Sequence, residues 1–268
     1  MFNRSETIRS TNIAGVSVAA VSENELVSIM VKQCCQRHSG VDVPATIVAD
    51  VNGQAFSMKE HDREYATALS QADIIHADGQ FVVWLSRLLP GPAIPERTAT
   101  TDLIHACADA AVENGLSFFL LGGREDINQR CAQELTRRHT GLQISGRRDG
   151  YFSQEEEDQV VSEINASGAD ILWVGLGKPA EQLFATRNRD RLTCSWIVTC
   201  GGCFHFVVGD YKRAPVWMQN AGLEWVHRMA TGPRYLLRRY LVTIPHTLAI
   251  VFWHEVMGRL RGAQKRGG

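Results

Sequence analysis

A chain of 268 residues, 44% hydrophobic and 21% charged with a net charge of −1, is long enough for one large core, or a core with an appendage, and has ordinary globular composition. No stretch approaches the ~20 apolar residues that span a bilayer, so no membrane-spanning helix is expected. Met1 to Ser10 is polar and does not read as a signal peptide, so the seven scattered cysteines are expected to be reduced cytosolic thiols.

In chain order, residues 13–21 read as a strand. Ser22-Glu23-Asn24-Glu25 is a capping box opening a helix to about Gln36. Residues 45–51 form a buried strand, 58–71 a helix, and 74–76 a short strand entering Ala77-Asp78-Gly79. A helix over 101–114 stops at Gly115. Residues 116–121 form a strand ending at Gly122-Gly123, and a helix follows to about His139. After a strand at 143–145, Ser153-Gln154-Glu155-Glu156 caps another helix. Residues 171–174 and 196–199 are two further strands, with a helix over 179–191 between them. Such alternation predicts an α/β fold with a mostly parallel, helix-covered sheet. Near Arg213 the strands stop, which divides the chain into a core (1–212) and a helical, basic appendage (213–268).

In such sheets ligands sit beyond the carboxyl ends of the strands. That rule selects the loops at Asp50 to Gly53, Ala77 to Gly79, Gly122-Gly123, Gly175 to Pro179 and Gly201-Gly202. Gly175-x-Gly177-x-x-Ala180 follows a strand and opens a helix, the setting of a dinucleotide fingerprint. Pro179 is unusual there, and no acid follows about 20 residues on to hold a ribose. Phosphate binding at a helix N-terminus and a merely structural tight turn both remain open. Asp78 is placed either as a general base or as a helix cap. Asn52 either bonds a sugar or makes an Asx turn. Arg97 and Asp102 flank a helix start; His76 and His205 read as structural. No ligand cluster implies a metal or cofactor, Cys200-x-x-Cys203 reads as buried small residues, and neither a Gly-x-Ser-x-Gly elbow nor a Walker loop is present.

From His227 onward eight Arg or Lys face one acid, a tail of about +7 on a body of about −8. This charge suits lipid headgroups, phosphates or nucleic acid, or merely keeps a solvated end soluble. Residues 216–229 carry Trp217, Met218, Leu223, Trp225, Val226 and Met229 at helical spacing; Pro233 opens another helix, where Arg234, Arg238 and Arg239 cluster. Guanidiniums grouped in this way suit a diphosphate. A further apolar surface, from Leu248 to Leu260, is bordered by Arg259 and Arg261. Apolar and basic residues together mark a membrane-interface helix, or one docked on the core or on a second copy of the chain in a homo-oligomer.

The ordered series Asp50-x-Asn52, Ala77-Asp78-Gly79, Arg97, Asp102-Leu103, Leu120-Leu121-Gly122-Gly123 and Gly150-Tyr151-Phe152 resembles the WecG/TagA/CpsF glycosyltransferases, which include GumM-like exopolysaccharide enzymes. It continues through Val174-Gly175-Leu176-Gly177-x-Pro179, Gly201-Gly202-x-Phe204, Arg213-Ala214-Pro215 and Glu224-Trp225, so that the resemblance covers roughly residues 12–241.

The resemblance implies a Rossmann-like, GT-E type fold and a metal-independent inverting transferase without cofactor. It implies a UDP-sugar donor, an acceptor on polyprenyl diphosphate at the cytoplasmic face of the inner membrane, peripheral attachment there, and no nucleic acid. Asp78 corresponds to the proposed base; Asn52, Arg97, Arg234, Arg238 and Arg239 fall on the other functional positions. Asp50, Gly79, Gly122, Gly123, Gly175, Gly177, Pro179, Glu181, Gln182, Gly201, Gly202 and Arg213 complete the expected substrate-binding set. This chain departs from the pattern at Asp50 (usually Thr), Thr101 (usually Gly), His205 (usually an acid) and Ala180-Glu181-Gln182, where the Gln/Glu order is reversed. The competing readings are a soluble dinucleotide oxidoreductase using Gly175-x-Gly177 and a non-catalytic membrane-associated scaffold.

Overall fold

The computed structural model describes residues 8–40, 44–231 and 240–254. Where one strand is expected at the start there are two, β1 (Ser10–Ile13) and β2 (Val16–Ala19), paired antiparallel. Ala14 and Gly15 both have positive φ, 48° and 79°, and this left-handed pair turns the chain back. The capping box forms as expected at α1 (Glu23–His38): Ser22 N–H donates to the Glu25 carboxylate at 2.7 Å, and Glu25 N–H to Ser22 Oγ at 3.3 Å. β3 (Thr46–Val51) follows. The helix expected over 58–71 is two helices, α2 (Gly53–His61) and α3 (Arg63–Ser70). Asp62 separates them in an extended conformation and caps α3 by accepting Tyr65 N–H at 2.9 Å.

β4 (Ile74–Ala77), α4 (Gln80–Ser86), α5 (Thr100–Asn114), β5 (Ser117–Gly122), α6 (Glu125–Arg138) and β6 (Gln143–Arg148) come next. They are followed by α7 (Glu157–Ser167), β7 (Ile171–Gly175), α8 (Ala180–Asn188), β8 (Trp196–Thr199), α9 (Cys203–Val207), α10 (Val216–Asn220) and α11 (Glu224–Thr231). Residues 240–254 are helical.

Six strands form one all-parallel sheet in the order β4-β3-β8-β7-β5-β6, the expected α/β architecture. Successive side chains of β5 go to opposite faces: Phe118 and Leu120 pack with Met30, Leu103 and Trp173, whereas Phe119 and Leu121 pack with Val160, Leu172 and Phe184. A third cluster joins the β1–β2 hairpin to Phe56, Tyr65 and Val82, and takes in Ile250 and Val251 of the C-terminal helix. That helix is also tied to α2 by Thr247 Oγ1 donating to Gly53 O (2.8 Å) and by His246 against Ser57 (2.9 Å). Its other face is bare: Leu241, Val242, Leu248, Phe252 and Trp253 are exposed.

Because every strand of the sheet runs the same way, the loops selected by sequence all leave its carboxyl edge. Two of them touch. A Cβ on Gly122 would lie 2.3 Å from Gly175 O, and Gly122 has φ 133°, so only glycine lets the β5 and β7 ends close together.

Candidate active site

Asp78 leaves the end of β4 and does not cap the helix that follows: the N-cap of α4 is Gly79, which makes no side-chain bond. The Asp78 carboxylate instead accepts Thr100 N–H at 3.1 Å and Thr100 Oγ1 at 3.4 Å, at the positive start of α5. Its other oxygen accepts Asn52 Nδ2 at 3.3 Å. Asn52 makes the local turn that was one of its two expected roles, and its amide nitrogen turns to Asp78. Its Oδ1 caps α2 by accepting Gln54 and Ala55 N–H (3.1 and 3.3 Å), leaving the amide nitrogen for Asp78. Burial alone would raise the Asp78 carboxyl. Arg228, Lys178 and the Thr100 N–H together outweigh burial and hold it below its ordinary value. His76 is fully buried, bonded through Nδ1 to Thr98 O at 2.8 Å, and burial lowers its pKa, so it sits there neutral.

Beside this carboxylate stands a cluster of arginines. Glu224, at the start of α11, accepts Arg97 Nη1 at 2.6 Å, Arg213 Nε at 3.1 Å and Arg228 Nη2 at 3.2 Å. Arg213 also bonds Asp102 (2.6 and 3.1 Å) and Gln219 Oε1 (2.7 Å), and Arg97 reaches Asp102 at 3.5 Å. Burial would raise the Glu224 carboxyl, but the surrounding arginines lower it, so the cluster stays fully ionised. Arg228 further lies 4.5 Å over the ring of Phe206.

Asp78, Asn52, Arg97, Glu224 and Arg228 line a cavity of about 140 Å³. The core supplies Asn52, Asp78, Gly79, Gln80, Trp84 and Arg97, and the C-terminal segment supplies Glu224, Trp225, Arg228, Tyr240 and Ile244. Two carboxylates, two guanidiniums and three indole or phenol rings line the cavity, and guanidiniums beside aromatic rings fit a sugar carrying an anionic group.

A second polar cluster lies buried at the ends of β3, β7 and β8. Lys178 Nζ bonds both oxygens of Asp50, at 2.7 and 2.6 Å, and lies 3.7 Å from Glu181. Burial disfavours the ammonium, but these carboxylates more than offset it and hold Lys178 firmly protonated. Burial pushes the Glu181 carboxyl up to about 7 despite Lys178. Glu181 accepts Gly177 N–H at 3.0 Å and Gly201 N–H at 2.8 Å, while Gln182 Nε2 spans Glu181 and Thr199. Gly123 N–H goes to Gly175 O. Three amides of the glycine loops are therefore engaged within the protein. Glu181 and Gln182, at 0% and 1% exposure, brace those loops from beneath rather than lining the cavity.

The structure brings Asp78, Asn52, Gly79 and Arg97 to one cavity, with Arg213 one contact behind through Glu224. It places Asp50, Gly122, Gly123, Gly175, Gly177, Pro179, Gly201 and Gly202 along the same sheet edge in the neighbouring loops. Arg234, Arg238 and Arg239 lie outside the described residues. Lys178, Glu224 and Arg228 were not singled out as site residues from sequence. The available signal was the Glu224–Arg228 spacing of four, a same-face helical pair.

The Gly177 amide, which a dinucleotide fingerprint would offer to a phosphate, is taken here by Glu181. The chain belongs to the WecG/TagA/CpsF family of glycosyl transferases, whose family model matches residues 11–261. It is accordingly an enzyme of glycosyl transfer, using a sugar donor and an acceptor. Among the described residues no helix is long and apolar enough to cross a membrane.

Proposed function

We propose that the protein is an inverting, metal-independent glycosyltransferase that moves a sugar from a UDP-sugar to a polyprenyl-diphosphate-linked saccharide, in the making of a bacterial exopolysaccharide or other cell-surface polysaccharide. The observation that carries the reading is the Asp78 carboxylate, held ionised in a cavity that also presents Arg97 and Arg228. Asp78 takes the proton of the acceptor hydroxyl as that oxygen bonds the anomeric carbon. The bond from that carbon to the UDP oxygen breaks on the opposite face, inverting the centre. A carboxylate of lowered pKa is a weak base, and it accepts the proton late, once bonding to an oxocarbenium-like carbon has acidified the hydroxyl. Asn52 fixes the Asp78 oxygen, and Arg97 and Arg228 take the charge that develops on the departing diphosphate.

The core (1–212) and the C-terminal segment (213–268) act as the two halves of this site, because residues of both line the cavity. Arg234, Arg238 and Arg239 serve the acceptor diphosphate in this reading. The exposed apolar face of the 240–254 helix, with Phe252 and Trp253, rests on the cytoplasmic face of the membrane.

The test is a screen of UDP-sugars with a polyprenyl-diphosphate acceptor in the presence of chelator, run on wild type and Asp78→Asn. Transfer by wild type, lost in Asp78→Asn with UDP binding retained, supports the reading; full activity in that variant overturns the base assignment. Phe252→Ser with Trp253→Ser is expected to weaken binding to anionic vesicles. Unchanged vesicle binding removes the membrane role of this face.

A further inference from the structure

We infer that Glu224 is a positioning residue that sets Arg97 and Arg228 at a fixed spacing across the cavity, an inference that rests on the diphosphate-donor reading above. Its side chain is 5% exposed and meets three guanidiniums that come from separate parts of the chain. Arg97 lies between α4 and α5, Arg213 before α10, and Arg228 within α11. The three do not depend on Glu224 equally. Arg213 has Asp102 at 2.6 Å and Gln219 at 2.7 Å as well. Among the described residues Arg97 has, besides Glu224, a 3.5 Å contact with Asp102. Arg228 has its guanidinium bond to Glu224, and among the described residues its buried Nε has no hydrogen-bond partner. Losing Glu224 therefore leaves Arg97 with its long contact to Asp102 and Arg228 with its stacking on Phe206, whereas Arg213 stays anchored.

Each guanidinium carries five N–H donors, of which Glu224 takes one or two, so the others remain for an anion. Glu224 also places a negative charge among three positive ones and lowers their mutual repulsion, letting them sit close together. Two effects of removing its charge then oppose one another. The cavity becomes more positive, which favours a bound diphosphate. The arginines lose their fixed placement, which harms only the step that needs donors aimed at the departing oxygen. A residue that merely holds the fold together would not separate these effects.

The experiment uses the full chain. UDP affinity by calorimetry, steady-state transfer and thermal melting are measured for wild type, Glu224→Gln, Arg228→Gln and the double variant. Glu224→Gln is expected to lower kcat about tenfold or more with UDP affinity unchanged or tighter. In the Arg228→Gln background the same change should lower kcat by less than about threefold, because it acts through the arginines. The inference is overturned if Glu224→Gln keeps kcat within about twofold of wild type, loses kcat and UDP affinity together, or shows fully additive effects in the double variant. Should Glu224→Gln fail to fold, Glu224→Asp keeps the charge on a shorter arm; reduced kcat with wild-type UDP affinity supports the inference, and wild-type kcat overturns it. A wild-type chain that neither binds UDP nor transfers from it sinks the donor reading itself, which is a different result from any of these.

Discussion

Lys178→Met is expected to be among the more damaging single substitutions in the buried interior. The ammonium bonds both oxygens of Asp50 at 2.6–2.7 Å and stands 3.7 Å from Glu181; the three side chains are 8%, 5% and 0% exposed. Removing one partner of a buried ion pair costs about 3–5 kcal/mol, because the other charge is stranded. Here the lysine is shared by two carboxylates, so its removal strands both and belongs at the upper end. Asp50→Asn leaves Lys178 with Glu181 and belongs at the lower end. With about 2–4 °C of melting temperature per kcal/mol in a chain of this size, Lys178→Met should melt roughly 10–20 °C below wild type and Asp50→Asn roughly 6–12 °C below. The deficit of Lys178→Met should shrink as pH falls toward 7, because Glu181, no longer held down by Lys178, takes up its proton at a higher pH than in wild type. Thermal and urea melts of both variants and their double, at pH 5.5 and 8, measure this. The reasoning fails if Lys178→Met is no more damaging than Asp50→Asn, or if the two losses simply add in the double variant.

Further outcomes follow from the same geometry. Burial raises Glu181 from 4.5 to about 7, so the folded state holds this proton more tightly than the unfolded state. Its contribution to stability is therefore full below about pH 4.5 and is lost as pH rises through 7; Glu181→Gln should flatten that slope in urea midpoints, and an unchanged slope refutes it. Because Arg228 helps hold Asp78 below its ordinary value, Arg228→Gln should move the acid limb of the kcat profile to higher pH; an unmoved limb, with activity remaining, counts against the pairing. Asn52→Ala should lose the α2 cap at about 1 kcal/mol. Asn52→Asp should keep the cap but set a like charge against Asp78, so its melting point should stay near wild type while kcat falls; wild-type turnover in Asn52→Asp would contradict the role given to the amide.

The parts of the fold that were legible are those written locally. β3, β5, β7 and β8 are short apolar runs buried on both faces, and the rule for parallel sheets carried Asn52, Asp78 and the glycine loops to one edge. The break at Asp62 and the turn at Ala14-Gly15 fell inside stretches whose apolar pattern runs on without interruption, so pattern alone merged two elements into one. The helix α4 begins at a glycine that gives no side-chain cap, which left no start signal. The unread part of the site consists of long-range pairings: Lys178 with Asp50 across 128 positions, Glu224 with Arg97 across 127, Arg213 with Asp102 across 111. Periodicity reports which face a residue takes, and it carries no information about which acid meets which base after the sheet has assembled.

The strand order has a consequence for how the protein comes into being. β8 is the last strand made, yet it lies in the middle, between β3 and β7. While the chain is emerging from a ribosome, β4-β3 and β7-β5-β6 are two unconnected slabs. The edge that bears Asp78 and the edge that bears Gly122 and Gly175 share no strand-to-strand backbone ladder until Trp196–Thr199 slides between them. Four residues thus act as the keystone of the molecule, and a nascent chain halted before residue 196 holds both halves of the sheet edge without a joined crevice.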